Sequence, residues 1–361
     1  MISRTLNTIL ISFLLLFTLP VLAQKINTEA LDEYWKITAE LRKGDTLSVE
    51  KWKTFLKLKG NHIYIDNQGF DEEFLERYRK TLQFVYNPEN EKALELMMQD
   101  KNNNWIAYKI NQYKVNEREL VAYASHLNEP AYLDSMYKNT WEWLPARLRK
   151  KSPNTEFYFI PIDNDALVQN GTVVFTLWCA YNQDKLKYGI LGGHELHHVL
   201  RQPVDFNKIT PSEEGIFYIL NGILNEGTAD MVDKNYSFDP SKDIVYEYHF
   251  DDLLLMRADS ILKQIDTCMQ LMKQSDGKVF RTEKEFRKLI GYSSGHKPGY
   301  YMANVIVRNG YSKELIDNVQ NPFKFIYLYN KAALKDTKSP PVFSAIAIAY
   351  CRQLEKKYWK R

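Results

Sequence analysis

A chain of 361 residues with 48 basic and 45 acidic side chains carries a net charge of only +3. No stretch gathers that charge into the dense basic face a nucleic acid requires, so a nucleic-acid partner is excluded at the level of composition. The length and a hydrophobic content of 45% suffice for one large or two ordinary domains with a substantial core.

The N-terminus reads as a targeting segment. Arg4 precedes an apolar run from Ile9 to Leu19, followed by Pro20-Val21-Leu22-Ala23. That is a basic n-region, a short h-region and a small-residue cleavage site, so residues 1–23 are expected to form a signal peptide. The alternative is an uncleaved N-terminal anchor. The next residue, Gln24, is not a cysteine, which argues against a lipid anchor. No later segment has the apolar length to span a bilayer. The expected location is therefore periplasmic or extracellular.

Residues 24–150 read as a helical region. Leu31, Tyr34, Trp35 and Leu41 form one apolar stripe, and Phe74, Leu75, Tyr78 and Leu82 another. After Lys151-Ser152-Pro153 the pattern changes. Glu156–Ile162 and Thr172–Ala180, rich in β-branched and aromatic residues, are predicted strands, with Asp163–Gly171 a turn or loop between them. Pro161 suits a strand that is an edge or ends there.

The next helix is predicted over Lys185–Arg201, stopped by Pro203. It carries His194-Glu195-Leu196-His197-His198, which fits H-E-x-x-H. On a helix His194 and His198, four residues apart, point toward one spot where a zinc ion fits, and Glu195 is placed to take the proton of an attacking water. His197 is a weaker candidate for the second imidazole. Gly192 and Gly193 cost this helix roughly 1 kcal/mol each relative to alanine. Either a strand or substrate approaches the backbone closely there, or the helix begins late, at Gly193.

A further helix starts with Thr210 as N-cap, Pro211 in the first turn and Glu213 completing a capping box, and runs to about Asn235. It carries Asn225-Glu226-Gly227-Thr228-Ala229-Asp230. Glu226 supplies the third ligand that a catalytic zinc wants beside an open corner. Asp230, one turn on, is placed to accept the far N–H of His194. Gly227 suits tight packing against the metal helix or a plain kink.

H-E-x-x-H followed by N-E-x-x-x-D resembles the thermolysin-type gluzincin metallopeptidases, and more specifically an exported bacterial group of zinc peptidases in that clan. The similarity covers roughly Gly189 to Asp233. It implies zinc as cofactor, a peptide or protein substrate, and an edge strand beside the metal helix on which substrate lies as an added strand, a part open to either Glu156–Ile162 or Thr172–Ala180. It also implies a His or Tyr downstream of the third ligand that stabilises the oxyanion. Ser293–Tyr301 offers His296, Tyr300 and Tyr301, in a segment whose Gly and Pro residues predict a loop. The interval between the two motifs is longer than in thermolysin, and no calcium-binding carboxylate cluster of the thermolysin kind is present.

From about Asp243 the chain is helical again, with Phe250, Leu254, Ile261, Ile265, Cys268 and Met272 along one stripe. Helices are predicted at 282–290, 300–307, 322–334 and 341–357. His249 reads as a structural histidine. Cys179, Cys268 and Cys351 all sit in apolar contexts and read as buried thiols, one disulfide remaining possible. Cys179, upstream of H-E-x-x-H, is also a minor candidate ligand.

The fold expected is α+β, predominantly helical, with a zincin-like core and a small mixed sheet beside the H-E-x-x-H helix. The divisions expected are 1–23, 24–150, 151–236 and 237–361. The function expected is zinc-dependent peptide hydrolysis. Its rivals are an inactive peptidase-like envelope scaffold, a zinc amidase acting on cell-wall peptides, and a purely structural zinc site.

Overall fold

The computed structural model describes residues 24–206, 208–237, 252–291 and 293–359. The expected signal peptide and His249 lie outside these residues. Eight helices fill the N-terminal part: α1 (Glu29–Leu41), α2 (Val49–Leu56), α3 (Lys59–Gln68), α4 (Glu72–Tyr86), α5 (Glu91–Gln99), α6 (Trp105–Val115), α7 (Glu117–His126) and α8 (Pro130–Glu142). Their stripes do what the sequence predicts: Leu31, Tyr34, Leu41, Tyr78 and Leu82 are all buried.

Four strands form a mixed sheet of order β1-β2-β4-β3. These are β1 (Ile26–Asn27), β2 (Glu156–Ile160), β3 (Ala166–Gln169) and β4 (Thr172–Thr176). β1 and β4 both pair with β2 in parallel, while β3 pairs with β4 antiparallel. β2 is thus an interior strand that stops one residue before Pro161, the second of the two possibilities raised by that proline.

Two expectations fail here. The segment expected as a loop contains β3, joined to β4 through Asn170 and Gly171, whose φ values of 50° and 78° are both left-handed. Two positive-φ residues in a two-residue connection make the turn that matches strand twist, and Asn-Gly is its preferred sequence. Leu177–Ala180, expected to continue a strand, instead begins α9 (Leu177–Asp184). A short wholly apolar run has no period to separate a strand from a buried helix.

The remaining helices are α10 (Ile190–Leu200), α11 (Pro211–Ser237), α12 (Asp252–Gln274), α13 (Glu283–Leu289), α14 (His296–Arg308), α15 (Ser312–Asp317), α16 (Pro322–Ala333) and α17 (Ala345–Tyr358). α10 starts later than expected, after Gly189 at φ 70°. Gly192 and Gly193 nevertheless lie inside it, and the close approach they permit comes from α8. A Cβ on Gly192 would fall 2.4 Å from Met136, and one on Gly193 2.7 Å from Asn139.

Buried side chains divide into two hydrophobic cores. One is built from Ile26 to Leu200 with Val319, the other from Phe206 to Leu354. α10 belongs to the first core and α11 and α14 to the second, so the H-E-x-x-H helix meets the other two along the seam. Among the described residues no helix is long and apolar enough to cross a membrane.

Candidate metal centre

The seam holds a cleft of about 610 Å³ lined by His194, Glu195, His198, Glu226 and His296. His194, Glu195 and Glu226 are only 4%, 6% and 8% exposed. Nε2 of His194 lies 3.1 Å from Nε2 of His198. Oε2 of Glu226 lies 3.4 Å from the latter and 3.8 Å from the former. Zinc bonds of about 2.0–2.1 Å at tetrahedral angles set ligand atoms ~3.3 Å apart, so this triangle has the right size.

The donor chemistry agrees. Nδ1 of His194 is 3.0 Å from Oδ1 of Asp233. A carboxylate only accepts, so Nδ1 carries a proton, and in the neutral ring Nε2 is the nitrogen left to bind a cation.

Asp233, not Asp230, is therefore the partner of His194. Oδ1 of Asp230 lies 3.9 Å from the same nitrogen. Its carboxylate instead accepts from Nδ1 of His296, at 2.9 and 3.1 Å. The two aspartates are three residues apart on α11 and so share a face, each engaging a different imidazole. Lys234 holds the second oxygen of Asp233 at 2.7 Å.

Burial penalises every charge here, but neighbours reverse the balance for most. Glu226 is held well below the usual carboxylate range because the rings of His296, His198 and His194 outweigh desolvation. Asp233 is lowered by Lys234 and His194 against the same penalty. Burial also opposes charge on His296, yet Asp230 and Glu226 lift it to about 9. For Glu195 desolvation wins and raises its pKa.

His296 begins α14, so the expected loop is a helix start, preceded by Ser294 and Gly295 at positive φ. Tyr300 and Tyr301 follow on that helix, and neither lines the cleft. Tyr300 is buried and donates to Oδ1 of Asn235 at 2.8 Å, while the hydroxyl of Tyr301 engages Asp259. Of the three oxyanion candidates only His296 faces the other site residues. His197 is fully buried and does not line the cleft, so it is not a stand-in for His198.

Gly227 packs tightly, but against α14 rather than the metal helix: a Cβ on it would sit 2.4 Å from the carbonyl carbon of Gly299. The cleft wall opposite α11 is β3 with the two residues before it, Asn164 to Val168. This edge strand is neither of the two segments the sequence offered for that position. Cys179 also lines the cleft, and all three cysteines are buried thiols.

The profile of a family described as "Putative zinc dependent peptidase (DUF5700)" matches residues 52–338. The chain belongs to this family. The matched span runs from α2 through both cores and past α16, so it includes every residue of the triangle. The family description names zinc as the cofactor and a peptidase as the activity class. No curated protein and no solved structure matches the chain.

Proposed function

We propose that this protein is an exported zinc peptidase of the gluzincin type, with His194, His198 and Glu226 as ligands and Glu195 as general base. The observation that carries this reading is the triangle of Nε2, Nε2 and Oε2 atoms with edges of 3.1 to 3.8 Å, beside a buried carboxylate in the same cleft. Bound there, zinc would polarise the scissile carbonyl and make a water more acidic. Glu195 accepts the proton of that water and returns it to the departing amine. Asp233 keeps His194 in the tautomer that binds, and Asn225 donates to Oε1 of Glu226 at 3.1 Å, leaving Oε2 for the metal. β3 pairs with β4 on one side only among the described strands, so an extended peptide can add along its free edge.

A second reading concerns the substrate. Asn67, Gln68, Asn164, Gln183 and Asn225 line the cleft, and among the described residues no Phe, Tyr or Trp does. Carboxamides suit polar, hydrogen-bonding substrates, which favours amide bonds in cell-wall peptides over hydrophobic sequences. An inactive scaffold is disfavoured because Glu195 is present and lines the cleft.

The test is peptide-library and cell-wall-fragment hydrolysis by the zinc-loaded chain against Glu195→Gln. We expect both proteins to bind one zinc and only the first to turn over. Equal turnover by both would remove Glu195 from the mechanism, and zinc binding with no turnover of either substrate class would favour the scaffold.

A further inference from the structure

Three imidazoles, not two, converge on Glu226. Nε2 of His296 stands 3.4 Å from Oε2 of Glu226, the same separation as Nε2 of His198. His194, Glu226 and His296 form a group whose ligand atoms all lie within 4.8 Å of one another, a group that does not include His198. The rings differ in what holds their other nitrogen. A metal-binding histidine ordinarily gives its far N–H to a carboxylate or carbonyl, which fixes its tautomer and direction. His194 has Asp233 and His296 has Asp230 for this purpose. Nδ1 of His198 is buried and meets no hydrogen-bond partner among the described residues. By that criterion His296 is prepared as a ligand as fully as His194, and better than His198.

The backbone is arranged to the same end. Besides the contact of Gly227 with Gly299, a Cβ on Gly295 would fall 2.5 Å from the carbonyl carbon of Gly222. Four glycines thus let α14 lie directly on α11, which brings His296 beside Glu226. A surface turn without a role at the site needs no such contact. The side chain of His296 lines the cleft and remains 30% exposed.

We infer that His296 is a fourth protein ligand of the zinc at rest, filling the corner that water and substrate need, and that substrate must displace it. The inference rests on the zinc-peptidase reading. A coordination bond is exchanged, the freed Nε2 takes a proton from solvent, and the ring stays hydrogen-bonded to Asp230 beside the cleft. The resting enzyme is therefore guarded against idle hydrolysis and against small anions.

The test uses the full chain stripped of metal, then titrated with Zn²⁺ and with Co²⁺, for wild type, His296→Ala, His296→Gln and Asp230→Asn. Melting of the metal-free proteins identifies which variants fold as wild type does, and the glutamine variant serves if alanine disturbs the helix. We expect zinc affinity to fall roughly tenfold or more in the His296 variants, and by a smaller factor in Asp230→Asn. We also expect the visible spectrum of the Co²⁺ protein to change in the His296 variants and become responsive to added azide, to which wild type is indifferent. Unchanged zinc affinity with an unchanged Co²⁺ spectrum in folded His296 variants would overturn the inference alone, as would a wild type that binds azide as readily as they do. A wild type that takes up no zinc would sink the zinc-peptidase reading as well.

Discussion

Gly227 and Gly299 meet backbone to backbone, at a separation where a Cβ on Gly227 would lie 2.4 Å from a carbonyl carbon of the partner helix. Alanine at either position must push α14 off α11. We expect Gly227→Ala and Gly299→Ala each to cost about 1–3 kcal/mol of stability, as overpacking does elsewhere. Because Glu226 and His296 ride on the two helices, zinc affinity should fall together with stability. Denaturant unfolding and zinc competition check both effects, and wild-type values for the two variants would mean the contact has slack.

Asp233 should matter more for metal binding than Asp230 does for His194. Asp233→Asn keeps the shape but loses the charge that holds Nδ1 of His194. Zinc affinity is expected to drop about 10- to 100-fold, the usual effect of losing such a partner. Titration of the stripped protein measures it, and an affinity within twofold of wild type would show that His194 needs no carboxylate.

Replacement of Glu195 by Gln preserves size and burial while removing the proton acceptor. Activity should fall by at least about 10²-fold with zinc content intact. Matched metal analysis and initial rates settle this, since a variant that also loses zinc would make Glu195 part of the binding site.

Asp184, just before α10, gives a pH signature away from the metal. Burial raises its pKa from 3.8 to about 7, although Tyr123, Tyr132 and the N–H groups of Gly189 and Ile190 all donate to it and pull the other way. A carboxyl raised on folding favours the folded state fully below its unfolded pKa, and that contribution is lost as pH climbs through the folded pKa. The stability of wild type relative to Asp184→Asn should therefore decline between about pH 4 and pH 7, by an amount on the order of a few kcal/mol. Urea melts at several pH values test it, and a flat difference across that window would mean Asp184 is ionised throughout.

The parts of the site that lie within one helical turn were legible before any coordinates. His194 with His198 and the Glu226 motif need only the i, i+4 geometry of a helix to be read. The exchange of partners between Asp230 and Asp233 was not. Both aspartates face one way, and only packing decides which imidazole each one meets. Asp233 stands three residues after Asp230, so the repeated acidic spacing was a usable signal. β3 was missed although Asn170-Gly171 announced a tight hairpin. The strand expected over Leu177–Ala180 failed because an unbroken apolar run carries no period. Gly222, Gly227, Gly295 and Gly299 stood in plain view as small residues, but a sequence does not say which helix lies on which.

The two hydrophobic cores supply His194 and His198 from one side and Glu226 and His296 from the other. An ion shared among them would work as a rivet through two plates. Chelation then has a mechanical consequence besides a chemical one: the plates are free to slide, and the stretch 201–210 that joins them takes the shear. A protease added to the stripped protein should find its first cut there, and zinc should conceal it.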